Sequence, residues 1–243
     1  YVVWSILFLP MGLDWIHQNQ EVPIELLPAA LFVGFVHIGT YYHLWYIPAF
    51  ILSVIFIVNL LKRFSYQKVF VISLVLYLFG SLETYYGLLP SGWFKDFFDL
   101  VIRLTFTTRN GLFFGMIFTL IGFFIYDHQE KLSRMGKHSS SFLLLFGSLF
   151  VLEGLFLSHI HRLDMNFILM LVPLSFFLFL WLLSKNPTQN SCLKKLRELS
   201  QYYYFIHPIC IVLVEETGKA LKLSMLSSGC LLYTSPSPRD GLL

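Results

Sequence analysis

The stretch from Tyr42 to Arg63 constrains this chain more than any other. Tyr42-His43-Leu44-Trp45-Tyr46-Ile47-Pro48 makes a polar, histidine-bearing mouth, the run from Leu44 to Leu61 carries no charge, and Lys62-Arg63 closes it. An apolar helix of that length, aromatic at one end and cationic at the other, suits a bilayer whose hydrocarbon core is about 30 Å thick. The rest of the chain repeats the pattern.

Composition agrees. Of 243 residues, 56% are hydrophobic and 13% charged, whereas soluble domains carry about 25% charged residues. So few polar groups cannot cover the surface of the chain, so lipid is its expected solvent. The net charge of +3 is too small to predict a nucleic-acid partner. Cys192 and Cys210 are isolated, and no HExxH, CxxC pair or GxxxxGK[ST] occurs, so no metal is expected.

Tyr1–Leu9 reads as the end of a helix stopped by Pro10. Met11–Tyr42 is a long connection whose apolar middle, Leu27–Val36, either dips into the membrane or packs over the bundle. Further spanning helices are expected over roughly 44–61, 69–83, 110–126, 142–157 and 167–183, with a last one from 202 to at least 214. Trp93, Phe94, Phe97, Phe98, Val101 and Ile102 recur at helical spacing with charges between them, the pattern of an amphipathic helix lying on the membrane surface. The fold class is therefore all-α: a polytopic transmembrane bundle with about seven spans. Cys230 to Asp240 resembles one reading frame of a sequencing-library adapter, so 230–243 is set aside as an artefact and 1–229 is read as the domain. Because Tyr1 lies inside an apolar run, upstream helices are expected to be missing.

Lys62, Arg63, Lys68, Lys131, Arg134, Lys137, Lys185, Lys194, Lys195 and Arg197 fall on one side of the alternating spans. The other side holds Lys95, Arg103 and Arg162, with Arg109 at a helix edge. Cytoplasmic loops carry the Lys/Arg excess, so the first group is expected to face the cytoplasm. His43, Arg109, His159 and His161 then lie at the outer face.

Three motifs carry a family resemblance. His43-Leu44-Trp45-Tyr46-Ile47 resembles the HLWFL-type motif of the acyltransferase 3 family of integral membrane acyltransferases. Thr108-Arg109-Asn110-Gly111-Leu112-Phe113-Phe114-Gly115 is similar to a TRNGLFFG stretch in part of that family, a subset that includes membrane domains attached to serine/alanine racemases of the vancomycin-resistance type. Leu199 to Pro208 is similar to its late LSxYxYLIHP motif. The resemblance implies a bundle of about ten helices that takes an acyl group, usually acetyl from cytoplasmic acetyl-CoA. The acceptor it implies is a hydroxyl of an extracytoplasmic glycan or other envelope molecule. It also implies an early helix with an essential histidine, which this chain lacks, so the piece alone is expected to be inactive.

Against this background the candidate residues fall into two groups. His43, at the outer mouth, has the chemistry to orient or deprotonate an acceptor hydroxyl; the alternative is an interfacial histidine in an aromatic belt. Arg109, Asn110 and Gly111 open a helix, where free N–H groups and a guanidinium make an anion site; the alternative is an arginine snorkelling to headgroups, with Thr107 or Thr108 as N-cap. His207 precedes Pro208 within the membrane and sits either near the donor path or at a structural kink. His43, Arg109 and His207 are the catalytic candidates. Trp45, Asn110 and Glu153 are the substrate-binding candidates. Glu153 is the one acid well inside a span, with Arg109 or His159 as candidate partners, and Glu83 is expected at an interface. A transport domain, for polysaccharide export or for serine uptake by a fused racemase, is the competing function. The acceptor and the oligomeric state are not legible.

Overall fold

The computed structural model describes residues 1–13, 27–40, 42–105, 107–135, 139–185 and 191–220. The backbone of His43 is among them, but its side chain is not, and 230–243 lies outside them. Every regular element in the described residues is helical. They are α1 (Val2–Leu7), α2 (Leu27–Val33), α3 (Tyr46–Leu61), α4 (Tyr66–Ser81), α5 (Trp93–Thr105), α6 (Met116–Asp127), α7 (Gln129–Met135), α8 (Ser139–Leu157), α9 (Leu171–Ser184) and α10 (Ser191–Ala220). Two π-helical turns, Gly34–Ile38 and Gly111–Gly115, continue α2 and precede α6. Residues 1–186 form one unit, and α10 belongs to a second, described by itself.

Among the described residues, α8 alone is long and apolar enough to cross a membrane by itself. The four shorter apolar helices, α3, α4, α6 with its π turn, and α9, coincide with expected spans. These helices and α8 carry large apolar side chains on their outward faces: Val75 of α4 is 59% exposed and Leu144 of α8 76%. Contiguous faces of that kind suit hydrocarbon and not water. Helix α5 is amphipathic as the spacing predicts, with Phe98 buried, Trp93 exposed and charges between them.

Several boundaries differ from the sequence reading, each for a local reason. Pro10 does not stop the first helix. The chain turns at Phe8, whose N–H reaches the Trp4 carbonyl, and helix resumes over 9–13 with Pro10 in its first turn, where a missing N–H costs nothing. Helix α9 begins at Leu171, later than expected, because residues 167–170 are held from outside. The Phe167 N–H donates to Thr84 Oγ1 (3.1 Å), and the Ile168 carbonyl accepts from the Tyr77 hydroxyl (2.9 Å). The Leu169 and Met170 N–H groups donate to the two oxygens of Glu153, at 2.5 and 2.8 Å. Tyr85 donates its hydroxyl to the same carboxylate. Glu153 therefore caps α9 from the neighbouring helix α8, and neither Arg109 nor His159 is its partner. In the second unit, α10 starts at Ser191, so Lys194, Lys195 and Arg197 lie on helix and not in a loop. Its 30 residues give a length of about 45 Å.

Small residues let the start of α6 press closely on α3. A Cβ on Gly111 would lie 2.5 Å from the Ala49 carbonyl oxygen and 2.7 Å from Leu52 Cβ, and one on Gly115 would lie 2.9 Å from Ser53 Cβ. The Ser53 and Thr119 hydroxyls meet at 2.6 Å across the same seam. In lipid the hydrophobic effect does not pull helices together, so backbone approach and interhelical hydrogen bonds must do so. Tyr77, 1% exposed, anchors the other side of the core against Phe114, Phe118 and Phe167.

Two outcomes follow from these contacts. Gly111→Ala should lower stability by about 1–3 kcal/mol through overpacking, whereas Gly122→Ala, with nothing within 4 Å of its Cβ position, should be neutral or raise it by up to about 1 kcal/mol; thermal unfolding in a fixed detergent reads both. Glu153→Leu removes the acceptor for Leu169 and Met170 and should cost about 1–3 kcal/mol. Amide exchange should then speed up at those two residues and stay unchanged along α3.

Candidate functional site

Elements distant in sequence meet at one end of the 1–186 unit: the Tyr42–Trp45 turn, the segment after α4, the 107–111 segment and the 158–166 connection. Lys62, Arg63 and Lys68 lie exposed at the opposite end, beyond α3 and around the start of α4. The sequence reading separates these two groups of residues in the same way.

Glu83 organises the first end. It is 6% exposed and takes the Thr108 N–H at 2.7 Å and the Thr107 hydroxyl at 3.1 Å to Oε1, and its Oε2 meets the Thr108 hydroxyl. Its own carbonyl accepts the Leu163 N–H (3.1 Å), and the Gly87 N–H reaches the His161 carbonyl (2.8 Å). One residue thus ties the 107–109 segment to the 158–166 connection. Burial pushes the Glu83 carboxyl above the ordinary carboxylate range. The hydrogen bonds from Thr108 oppose that rise, and the charge of Asp164 adds to it. The sequence suggested an interface for Glu83, not this buried role.

Arg109 follows directly. Its N–H donates to Thr107 Oγ1 (3.0 Å), which fixes the turn. The guanidinium lies 5.1 Å from the Trp45 ring centre and 3.8 Å from Asp164. A cation over an indole with one loosely placed carboxylate is partly neutralised and keeps directional donors in reserve. Its Nε is buried without a hydrogen-bond partner.

Asn110 is fully buried and is itself the N-cap, in place of Thr107 or Thr108. Its Oδ1 accepts the N–H groups of Leu112 (2.9 Å) and Phe113 (3.1 Å), and its Nδ2 donates to the Thr107 carbonyl (3.0 Å). Two of the N–H groups that the sequence reading offered to an anion are therefore already taken. The second Nδ2 hydrogen faces His37 Nε2 at 3.4 Å. His37 lies in the other π turn, so the two π turns meet through this pair. Burial holds the His37 imidazole below its usual value, opposed by a hydrogen bond at the Thr105 backbone, so the ring is neutral at neutral pH. Nothing in the composition singled out His37; the one available signal is its place between Gly34 and Gly39, of which Gly39 has φ 91°.

The structure thus brings Trp45, Arg109 and Asn110 together and adds Glu83, Asp164 and His37. Glu153 stands apart, occupied by Tyr85 and the start of α9. The His43 backbone lies in the turn beside Trp45, while its side chain is outside the described residues. His207 is on α10, in the second unit, where Nδ1 lies 3.0 Å from the Tyr203 carbonyl of its own helix.

Comparison with known proteins gives the family. The model of the acyltransferase domain (acyltransferase 3) family matches residues 1–235, which runs six residues into the stretch set aside from the sequence. The chain is 31% identical over 235 residues to a serine/alanine racemase of Enterococcus gallinarum, covering 96% of this chain and 32% of that protein. It is 29% identical over 218 residues to an amino-acid racemase of Enterococcus faecalis, covering 88% of this chain and 30% of that protein. The chain therefore spans about a third of the length of these relatives. No solved structure matches. The family match covers nearly the whole sequence and agrees with the three motifs and the all-helical fold, and on these grounds the chain belongs to the acyltransferase 3 family of membrane acyltransferases.

Proposed function

We propose that this chain is part of a membrane-bound O-acyltransferase. It moves an acyl group, acetyl in the simplest case, from cytoplasmic acyl-CoA to a hydroxyl of an extracytoplasmic glycan or envelope molecule. The observation that carries this reading is Arg109: a guanidinium stacked on Trp45, with a single carboxylate 3.8 Å away, at the end of the unit opposite the exposed cations. Acyl transfer passes through a tetrahedral species whose oxygen becomes negative. A preorganised cation is worth most where that charge develops in a site of low dielectric.

In this reading His43 is the group that orients or deprotonates the acceptor, and Trp45 and Arg109 receive it or the developing oxyanion. Asn110 acts by holding the turn, since its amide is spent on Leu112, Phe113 and Thr107. Glu153 acts by holding the start of α9 rather than by touching substrate, and His207 belongs to the donor path. About seven spans, a bacterial plasma membrane and cytoplasmic basic loops complete the proposal, with acetyl-CoA as co-substrate. The cytoplasmic assignment rests on the asymmetry of Lys and Arg.

A second reading, a transport domain for polysaccharide export or for serine uptake by a fused racemase, is favoured by one observation: the relatives covered to about a third of their length are named racemases. Uptake of labelled serine by cells expressing the full-length protein, without acetyl turnover, would select it.

The acyltransferase reading makes a direct prediction. In the full-length protein, Arg109→Ala should lower acetylation of envelope glycans on the order of 10²-fold, with Arg109→Lys in between, because a point charge replaces a planar fork. His43→Ala should also reduce it. Full activity of both alanine variants would sink the site assignment.

A further inference from the structure

Glu83 carries a second message, and it lies in the count of hydrogens around Thr108. The Thr108 hydroxyl has one hydrogen to give. It lies 2.9 Å from the Gly80 carbonyl oxygen, which has none, and in close contact with Glu83 Oε2. If Glu83 were a carboxylate, Thr108 Oγ1 would face two acceptors with one hydrogen, and one buried oxygen pair would repel. A proton on Glu83 Oε2 removes the conflict: the acid donates to Thr108 Oγ1, and Thr108 donates to Gly80. The same Oε2 still accepts the Thr108 N–H, and Oε1 accepts from Thr107.

The charges around the group favour the same state. Asp164, from the 158–166 connection, faces Glu83 with like charge. Arg109, from the adjoining turn, has Asp164 as its carboxylate partner. Among the described residues no cation pairs with Glu83. A second carboxylate here would leave two negative charges against one guanidinium, in a setting where burial already penalises the ion.

We infer that Glu83 sits in the folded protein as a neutral carboxylic acid, and that its proton both completes the Thr108 network and leaves Arg109 a single counter-charge. It is a positioning residue: it holds the Thr107–Arg109 turn without drawing on the charge of Arg109. The second half of this inference rests on the proposed anion-binding role of Arg109; the first half does not. The linkage has a definite sign. A carboxyl held above its ordinary range contributes stability that is full below the ordinary range and is lost as pH rises through the raised value. Stability and anion binding should therefore both fall on the alkaline side of the ordinary carboxylate range.

The test uses the whole chain reconstituted in lipid, with two readouts. The infrared carbonyl stretch of a protonated carboxyl should be present at neutral pH in the wild type. Its Glu83 component should be missing in Glu83→Gln and shifted in Thr108→Val. Inorganic phosphate, as a probe anion, should bind the wild type more weakly as pH rises. It should bind Glu83→Gln with little pH dependence and fail to bind Arg109→Ala. A carbonyl band identical in wild type and Glu83→Gln overturns the neutral acid, whatever phosphate does. A Glu83-dependent band with no phosphate binding by the wild type confirms the proton and overturns the role of Arg109. If Glu83→Gln fails to fold, Thr108→Val alone decides, because a band it leaves unmoved also overturns the assignment.

Discussion

Everything at the functional end depends on how closely two helices approach. Where Gly111 and Gly115 face Ala49, Leu52 and Ser53, there is no space for a methyl group. Lipid tails are as apolar as leucine, so burial alone does not hold this pair; close dispersion contact and the Ser53–Thr119 hydrogen bond do. The consequence reaches the chemistry within two residues. Asn110 begins the π turn that presses on α3, Arg109 precedes it, and α3 begins just after Trp45. The stacking of Arg109 on Trp45 is the outer edge of a backbone contact.

Two acids, Glu83 buried and Glu153 half-buried, divide the work of fastening this unit, and their surroundings differ in kind. Three donors converge on Glu153, two of them backbone N–H groups at the start of α9, where the helix dipole favours negative charge. Glu83 instead takes donors from the Thr107–Thr108 turn and feels the like charge of Asp164. Glu153 fastens helix to helix, and Glu83 fastens loop to loop. Between them they fasten the 158–170 stretch at Leu163, Leu169 and Met170. A connection that carries no helix is therefore well determined.

Much of this was legible in the sequence. Apolar runs ending in cations placed α3, α4, α6, α8 and α9 to within a few residues, and the alternation of aromatic and charged residues placed α5. Arg109-Asn110-Gly111 stood out because an arginine, a capping amide and a glycine at one helix start serve a purpose that apolar packing does not. The contacts themselves were hidden, for physical reasons. Glu83 meets Thr107 and Thr108, and Tyr77 meets Ile168, across long sequence separations, and no period reports that. Glu153 looked like a charge needing a cation, but a helix start supplies partial positive charge without one. His37 and Asn110 meet because each lies at a π turn, a local widening of the helix that has no simple sequence signature. The start of α10 at Ser191 carries no continuous apolar run, because its first turns hold Lys194, Lys195 and Arg197.

The glycine seam has a mechanical meaning as well. Side chains that interdigitate can slip past one another by changing rotamer, but backbone against backbone offers no rotamer to change. The start of α6 and the middle of α3 must therefore travel as a single rigid strut. Any rearrangement that lets a substrate in or out has to bend or open somewhere else. The looser boundary is the apolar cleft of about 700 Å³ bordered by α4, α6 and α9. The backbone positions that carry Arg109 and Trp45 flank this strut and move with it.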